Sequence, residues 1–201
     1  MPAPTAYDIA DVTAAILAGG EGARVGGQDK GLLPLASKPL IERVSSAMRP
    51  QAGALLICAN RHHGTYATFG SVVADALEGY PGPLAGIAAA LAVCTTAWLL
   101  TVPVDCPDPP AELGSRLLFA AIGAGTNLAV AHDGERTQPL FAIYRRELAE
   151  SCSEALVRDL PVWRWQRDAG AAVVAFSDSA ARFVNLNTPE EFRVWERRQH
   201  A

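Results

Sequence analysis

Short apolar runs that alternate with segments of helical periodicity restrict the fold of this chain more than any other feature. Residues 13–17 and 54–58 have the length and composition of buried strands, and 71–74 and 97–102 follow the same pattern. Because parallel strands need helical crossovers, this order predicts an α/β fold with an open, mainly parallel sheet and helices on both faces. Pro103 has no backbone N–H, so pairing on one side of the fourth strand should end near it.

The helical segments between these strands have recognisable starts. Ser37 is a predicted N-cap with Pro39 in the first turn of its helix, a second helix is predicted to begin at Pro83, and a third spans about 110–121. Apolar residues recur at helical spacing in the first two helices: Leu40, Ile41, Val44 and Met48 in one, and Leu84, Ile87, Ala88 and Leu91 in the other.

The second half is less regular, and its pattern predicts some antiparallel pairing. Residues 127–131 and 139–144 are predicted strands, with the turn signal Asp133-Gly134 between them. A capping box with proline at the first helical position, residues 188–191, opens the last helix. The remaining predicted segments are a helix and two extended stretches: 147–158, 172–176 and 183–186.

Composition narrows the class of protein. The 201 residues suffice for one domain, and 50% of them are hydrophobic, so a substantial core is available. A formal net charge of −4 argues against a nucleic-acid binder, which needs a basic excess. The four cysteines form no CxxC pair, and the first residues carry no Lys, Arg or apolar core. We therefore expect free thiols, no signal peptide, no membrane span and a cytoplasmic protein.

A glycine-rich stretch, LAGGEGARVGGQDKG at residues 17–31, directly follows the first predicted strand. Gly19 and Gly20 let the backbone approach a phosphate closely, and Arg24 and Lys30 supply positive charge. The stretch is not a Walker A motif, because Lys30 follows an aspartate and no Ser or Thr comes after it, and it lacks the third glycine of the dinucleotide fingerprint. It is therefore either a different phosphate-binding loop or a glycine-rich surface loop with an incidental Arg and Lys.

Two carboxylates are predicted at the same edge of the sheet as this loop. Asp75 and Asp105 follow the third and fourth strands, and ligands of open α/β sheets bind beyond the carboxyl ends of strands. This set suits a nucleoside triphosphate with a divalent cation, for which Asp105 is the candidate ligand. The alternative for both residues is an ordinary acidic turn. Gly82, before the Pro83 helix, either presents N–H groups to an anion or serves only the turn.

Two other segments have ordinary structural explanations. Residues 132–136 are charged enough to line a site but are most simply a solvated hairpin loop. Trp163 and Trp165 either stack on a planar ring or pack in the core, and packing is the commoner role.

The motifs taken together resemble those of a known family. Six strings occur in the family's order: LAGGEGARVGGQDKGLLPLASKPLIERV (17–44), CANRHH (58–63), EGYPGPLAGI (78–87), PVDCP (103–107), HDGERTQPLFAIYRR (132–146) and FVNLNTPEEF (183–192). They resemble the signature of the MobA-type molybdenum cofactor guanylyltransferases, which belong to a wider nucleotidyltransferase family that shares the first loop. The resemblance runs from about Thr13 to Phe192 and covers nearly the whole chain.

The resemblance implies a three-layer, Rossmann-like nucleotidyltransferase fold in one domain, 1–201, with 1–12 loose, 13–107 binding nucleotide and 108–201 binding pterin. It implies transfer of GMP from GTP to molybdopterin, with or without molybdenum, release of pyrophosphate, and Mg²⁺ as cofactor. Other cofactor-biosynthesis proteins and molybdoenzyme chaperones are the further expected partners, and neither nucleic acid nor membrane is expected.

The resemblance and the loop argument together assign roles to individual positions. The predicted nucleotide-binding residues are Leu17, Ala18, Gly19, Gly20, Lys30, Asn60, Asp75, Gly82 and Asp105. Arg24, Lys30 and Asp105 are the predicted catalytic residues, because the reaction brings two anions together and needs charge neutralisation. Asp105 is also the predicted metal ligand, and the resemblance places Asn185 and Asn187 on the pterin side.

One position departs from the family pattern. The family often has asparagine where this chain has Cys58, at a nucleotide contact, and a thiol is a poor substitute for an amide that donates and accepts. Either Asn60 or backbone groups take over this contact, or nucleobase recognition is altered. The alternatives to GMP transfer are a CTP-dependent molybdopterin cytidylyltransferase, a sugar-phosphate nucleotidyltransferase and a non-catalytic nucleotide- or cofactor-binding protein.

Overall fold

The computed structural model describes residues 7–19, 29–75 and 82–199. The strands in these ranges are β1 Val12–Leu17, β2 Pro34–Leu35, β3 Lys38–Pro39, β4 Ala54–Cys58, β5 Ser71–Val73, β6 Trp98–Pro103, β7 Leu128–His132, β8 Thr137–Arg145 and β9 Ala172–Ala175. The helices are α1 Leu40–Met48, α2 His63–Tyr66, α3 Pro83–Val93, α4 Leu113–Ala124, α5 Ala149–Val157, α6 Val162–Asp168 and α7 Pro189–Gln199. Short 3₁₀ helices lie at Ile9–Asp11, Lys30–Leu32, Arg49–Gln51, Arg146–Leu148 and Ser177–Arg182.

Seven of these strands form one sheet in the order β5-β4-β1-β6-β8-β7-β9. The pairs β5·β4, β4·β1, β1·β6 and β7·β9 are parallel, whereas β8 runs antiparallel to both β6 and β7. The predicted fold class, mainly parallel with antiparallel pairing in the second half, is therefore confirmed. The Asp133-Gly134 turn joins the antiparallel pair β7 and β8, as the sequence indicates.

The central strands β1 and β6 are buried along their whole length because helices cover both faces of the sheet. One apolar core lies between the sheet and α1 and α4, and a second lies between the sheet and α3, α5 and α6. All four residues of the predicted apolar stripe on α1 are fully buried in these cores or in a third cluster beside them. This three-layer packing fixes the carboxyl ends of β1, β4 and β6 at one edge.

Pro103 limits the pairing of β6 as predicted. The ladder with β1 continues to Leu17 opposite Pro103, whereas the ladder with β8 ends at Thr101. The chain at Pro103 therefore still pairs with β1 but no longer pairs with β8. Asp105 follows two residues later, beyond the sheet at the edge where β1 also ends.

Two local predictions are wrong. Ser37 does not cap α1; Ala36 and Ser37 have φ of 48° and 69° and form the two-residue turn between β2 and β3, so Pro39 becomes the N-cap residue. Residues 183–186 do not form a strand, because the N–H of Leu186 donates to the carbonyl of Asp105 (2.8 Å) instead of joining a ladder.

The predicted capping box at the start of α7 is confirmed. The Thr188 hydroxyl accepts from the N–H of Glu191 (3.3 Å), and the Glu191 carboxylate accepts from the N–H of Thr188 (2.8 Å). A small apolar cluster ties α7 to the first half of the chain: Leu35, Leu40 and Leu186, with Phe192 and Trp195 packed against them. The last helix is thus anchored beside the segment that follows the glycine-rich stretch.

Candidate active site

The carboxyl ends of β1, β4 and β6 continue to hydrogen-bond beyond the sheet itself. The N–H of Ala18 donates to the carbonyl of Cys58 (2.9 Å), and the N–H of Val104 donates to the carbonyl of Leu17 (3.1 Å). Gly19 comes directly after this ladder and is exposed. A Cβ placed on it would lie 3.8 Å from the carbonyl oxygen of Cys58. The start of the glycine-rich stretch is therefore hydrogen-bonded to the end of β4 as far as Ala18, and the exposed Gly19 follows at the edge of the sheet.

Three polar side chains from distant parts of the chain meet at this edge, and we refer to Lys30, Asp105 and Asn187 as the Lys30 centre. The Lys30 ammonium lies 2.7 Å from Asp105 Oδ2 and 2.7 Å from Asn187 Oδ1. The side chains of Lys30 and Asp105 are each only 20% exposed. Partial burial strengthens this charge pairing relative to a surface ion pair, so the centre is a fixed arrangement.

Each member of the Lys30 centre is positioned by its own local structure. Lys30 begins a 3₁₀ helix whose N-cap, Asp29, accepts a hydrogen bond from the N–H of Gly31 (3.2 Å). Asp105 follows β6 by two residues, and its carbonyl is bonded to Leu186. Asn187 precedes the capping box of α7, and its N–H donates to the Glu191 carboxylate (2.5 Å).

One carboxylate oxygen of Asp105 is left for a ligand. Oδ2 contacts Lys30, whereas Oδ1 is buried and has no hydrogen-bond partner among the described residues. An unsatisfied buried carboxylate oxygen is costly unless something binds it, and a divalent cation suits it. Residues 7–19, 29–75 and 82–199 contain no group of three or more His, Cys, Asp or Glu that could hold a metal. One carboxylate with phosphate oxygens is the set that Mg²⁺ commonly uses, so Asp105 fits this role.

Asn60 and Asp75 form a second polar pair at the edge. The Asn60 amide donates to Asp75 Oδ2 (2.8 Å) and its carbonyl oxygen accepts from the N–H of Asp75 (2.9 Å). The two bonds link the end of β4 to the end of β5 in a closed ring. Asn60 is exposed and Asp75 half-buried, so the pair is a preformed polar surface beyond the ends of β4 and β5 rather than a core feature.

The Cys58 side chain does not face this polar surface. Its thiol is 2% exposed and donates to the carbonyl of Gly86 in α3 (3.3 Å). Burial, with a smaller contribution from the nearby Asp75 charge, raises the pKa of the Cys58 thiol to about 12, so it stays neutral. The position that departs from the family pattern is thus occupied by a packing side chain. All four cysteines are free, as predicted, and the structure shows that they are also buried.

Gly82 lies at the N-terminus of α3 and is exposed, and its carbonyl accepts from Ala85 (3.2 Å). Together with Pro83 it borders an apolar cleft of about 800 Å³ that extends to α6 and Trp163. Trp163 is 52% exposed, whereas Trp165 is buried and stacks on Tyr144 at 5.3 Å. Packing in the core therefore explains Trp165 but not Trp163.

Other predicted site residues fall in different places. Asn185 is half-buried beside the Lys30 centre, and its Oδ1 is buried without a hydrogen-bond partner among the described residues. Gly20 and Arg24 lie outside the described residues. Sequence reasoning missed that Asn187 contacts Lys30, and it also missed Asp29. Asp29 does carry a sequence signal, since an aspartate directly before a short helical turn is a common N-cap.

Comparison with known proteins decides the family. Residues 14–174 match the MobA-like NTP transferase domain. The chain belongs to this family. A protein of Photobacterium profundum named molybdenum cofactor guanylyltransferase is 41% identical over 179 residues, which is 89% of this chain and 92% of that relative. The resemblance inferred from the motifs is therefore confirmed, and this family member is a nucleotidyltransferase.

Solved structures share the fold. The chain is similar to molybdopterin-guanine dinucleotide biosynthesis protein A of Archaeoglobus fulgidus, with a TM-score of 0.77, 22% identity and coverage of 94% of this chain and 98% of the other. It is also similar to 2-C-methyl-D-erythritol 4-phosphate cytidylyltransferase of Thermus thermophilus, with a TM-score of 0.68, 18% identity and coverage of 93% and 98%. At these identities the likeness concerns the fold alone. Within the described ranges, no helix has both the length and the apolar character needed to span a bilayer.

Proposed function

We propose that this chain transfers GMP from GTP to molybdopterin, forming a molybdopterin guanine dinucleotide and pyrophosphate. The observation that carries the proposal is the Lys30 centre at the edge where β1 ends and where Asp105 follows β6. Membership of the family and the relatives' shared name support the same reaction. The proposed location of the reaction is the cytoplasm.

The reaction needs charge neutralisation more than it needs a base. The nucleophile is the terminal phosphate of molybdopterin, which is already anionic because the second pKa of a phosphomonoester is about 6. Its oxygen attacks the α-phosphorus of GTP and forms the new P–O bond. The bond from the α-phosphorus to the bridging oxygen breaks in line, and pyrophosphate leaves with that oxygen and its electron pair. No proton has to be removed from the attacking group.

Lys30 has the geometry for holding the triphosphate. An ammonium group has three N–H donors, and two of them are used by Asp105 and Asn187. The third N–H has no partner among residues 7–19, 29–75 and 82–199, and we propose that it donates to a phosphate oxygen. Because the two bonds fix the ammonium, Lys30 presents its charge without reorganising when charge develops on the leaving group.

Asp105 is the proposed Mg²⁺ ligand through its unpartnered Oδ1. When bound, Mg²⁺ supplies neutralisation of phosphate charge as a Lewis acid. In this proposal the carboxylate has two separate tasks: Oδ2 orients Lys30, and Oδ1, which has no partner among the described residues, would bind the cation. Arg24 and Gly20 are proposed to assist on the phosphates, as their positions in the glycine-rich stretch indicate.

The nucleoside is proposed to lie against Leu17, Ala18, Gly19, Gly82 and the Asn60–Asp75 pair. Because the Cys58 thiol is buried against α3, backbone groups and Asn60 replace the family asparagine in this proposal. Asn185 is the proposed pterin contact, because it is adjacent to the Lys30 centre and its Oδ1 is unpartnered among the described residues.

A pyrophosphate-release assay tests the function. The protein is incubated with Mg²⁺ and each of GTP, CTP, ATP and UTP, with molybdopterin, with a sugar phosphate or with no acceptor. The dinucleotide product is identified by mass spectrometry. We expect pyrophosphate only with GTP and molybdopterin together. Release with CTP would indicate the cytidylyltransferase, release with a sugar phosphate as acceptor would indicate that class, and no release at all would favour a binding protein.

Two variants test the proposed roles. Lys30→Ala should lower kcat by about 100-fold or more, which is typical for losing one preorganised charge contact to a transition state. Asp105→Asn should lose its Mg²⁺-dependent activity. Lys38→Ala is the matched lysine control, because Lys38 is 58% exposed and pairs only with Glu42 in the described structure. Near-normal turnover in Lys30→Ala or Asp105→Asn would remove that residue from the proposed mechanism.

A further inference from the structure

Tyr66 is a buried tyrosine that lies outside the set of residues assigned to the proposed reaction. It is the last residue of α2 and is fully buried, and its hydroxyl donates to Asp29 Oδ1 at 2.5 Å. A buried phenol hydroxyl is costly unless it is hydrogen-bonded, so this contact fixes the position of the Asp29 carboxylate. Burial and the hydrogen bond to Asp29 raise the pKa of Tyr66 far above its ordinary value, so the hydroxyl remains a proton donor.

The same carboxylate oxygen of Asp29 organises the turn that carries Lys30. Asp29 Oδ1 accepts hydrogen bonds from the N–H of Gly31 and from the hydroxyl of Tyr66. The bond to Gly31 spans Lys30, which lies between Asp29 and Gly31 in the sequence. Gly31 is buried against the tyrosine; a Cβ placed there would collide with the Tyr66 hydroxyl and lie 3.1 Å from Val104 Cγ2. The Lys30 backbone is therefore clamped from Asp29 on one side and from Gly31 on the other.

The hydrogen-bonded set of Tyr66, Asp29 and Gly31, which we call the clamp, also keeps a competing carboxylate away from Lys30. Asp29 is adjacent in sequence to Lys30, yet the ammonium contacts Asp105 and Asn187. In the structure, Asp29 Oδ1 is instead hydrogen-bonded to the hydroxyl of Tyr66 and the N–H of Gly31. Without the tyrosine hydroxyl, this carboxylate would be free to pair with Lys30 or to repel an approaching phosphate.

Tyr66 connects the clamp to the nucleoside side of the site. The segment that leaves β4 after Cys58 contains Asn60 and then enters α2, which ends at Tyr66. One short segment thus contacts Asp75 at its start and Asp29 at its end. A shift of this segment on binding a nucleoside would be transmitted to the turn of Lys30.

We propose that Tyr66 is a positioning residue that acts through Asp29 and Gly31 to hold Lys30 against Asp105 and Asn187. The proposal rests on the proposed function, in which Lys30 contacts the triphosphate during transfer. Tyr66→Phe removes only the hydroxyl and should lower kcat for pyrophosphate formation about tenfold or more, the scale of one lost hydrogen bond to a charged group. KM for molybdopterin should change little.

Tyr7→Phe is a matched control. The Tyr7 hydroxyl donates to the carbonyl of Gln51 (2.5 Å) and packs against Gly114, where a Cβ would collide with it. Partial burial raises the pKa of Tyr7 to about 12. Tyr7 is half-buried and Tyr66 fully buried, and both are hydroxyl donors that crowd a glycine. We expect Tyr7→Phe to lower thermal stability without lowering kcat, whereas Tyr66→Phe lowers kcat as well. An equal effect of the two variants on kcat would overturn the positioning role.

A second readout does not depend on turnover. The chain has two lysines, Lys30 and Lys38, so brief acetylation followed by peptide mass spectrometry reports each amine separately. Tyr66→Phe should accelerate labelling of Lys30 and leave Lys38 unchanged. If wild type forms no pyrophosphate but Lys30 labelling responds to Tyr66→Phe, the proposed reaction fails and the clamp stands. If wild type is active and neither kcat nor Lys30 labelling responds, the clamp fails alone.

Asp29→Asn tests the same link from the acceptor side of the hydrogen bond. It keeps an oxygen for Gly31 while removing the charge that the tyrosine holds in place. Because Tyr66 is proposed to act through Asp29, the double variant should lose no more activity than the more damaging single variant. Losses that multiply in the double variant would show two independent effects and contradict the proposal.

Discussion

Asn187 gives the sharpest test of how the two halves of the chain share the site. The sequence resemblance assigns Asn187 to the pterin, whereas the structure places its Oδ1 2.7 Å from the Lys30 ammonium. These two roles predict different kinetics. If the amide only contacts pterin, its removal raises KM for molybdopterin; if it orients Lys30, its removal lowers kcat.

The magnitude follows from the kind of bond that is lost. Asn187→Ala deletes one hydrogen bond to a charged donor, a contact worth about 1.5–3 kcal/mol, which corresponds to about 10- to 100-fold in kcat. The backbone N–H of Asn187 remains bonded to Glu191, so the start of α7 should be preserved. Asn187→Asp should lose more activity, because it places a second carboxylate beside Lys30 and Asp105 and adds negative charge where phosphates arrive.

The assay is a steady-state measurement of pyrophosphate release with GTP and molybdopterin varied in turn. Asn185→Ala is the comparison, since Asn185 belongs to the same segment and is the proposed pterin contact. We expect Asn187→Ala to lower kcat and Asn185→Ala to raise KM for molybdopterin. The reasoning is refuted if Asn187→Ala raises KM for molybdopterin and leaves kcat unchanged.

Two further outcomes are expected. Cys58→Ala should lower the free energy of unfolding by about 1 kcal/mol, because it leaves a small cavity. It should leave the preference for GTP over CTP unchanged, because the thiol donates to the carbonyl of Gly86. Competition assays that show a gain for CTP would contradict this. Hydrogen bonds from the N–H groups of Asn187 and Thr188 hold the pKa of Glu191 in the folded protein below its ordinary value. The ionised carboxylate therefore stabilises the fold above the pKa of an unfolded glutamate, and this stabilisation is lost as the pH falls through the lower pKa of the folded state. Glu191→Gln should therefore melt below wild type near neutral pH and equal it in acid, and a pH-independent gap in melting temperature would contradict this.

The sheet and its covering helices were predictable because their signals are local. The apolar runs of β1, β4 and β6 and the stripe on α1 are periodic in sequence, and burial of those residues follows the period. Pro103 also acts locally, since it lacks an N–H wherever it is placed, and the end of the β6·β8 ladder follows from that. Asp105 could be predicted at the edge because it follows a strand whose direction was already known.

Other features depend on contacts between distant residues and have no local signal. Ser37 has the residue type of an N-cap, but pairing of β2 with β3 requires a turn there and overrides that preference. The apolar spacing of residues 183–186 suits a strand, yet Leu186 is buried against Leu35 and Leu40 and no neighbouring strand is present to pair with it in the described structure. The contact of Asn187 with Lys30 and of Tyr66 with Asp29 arises only when the chain has folded.

The bond between Lys30 and Asn187 joins residues 157 positions apart, which has a consequence for synthesis on the ribosome. At about 5–20 residues per second, Lys30 is exposed on the order of ten seconds before its amide partner is made. Sheet strands β1, β4, β5 and β6 can pair during that interval, because the chain between them has already emerged. A nascent chain would therefore acquire the edge formed by the ends of β1, β4 and β6 first, and it would acquire an oriented Lys30 only when the segment before α7 has emerged.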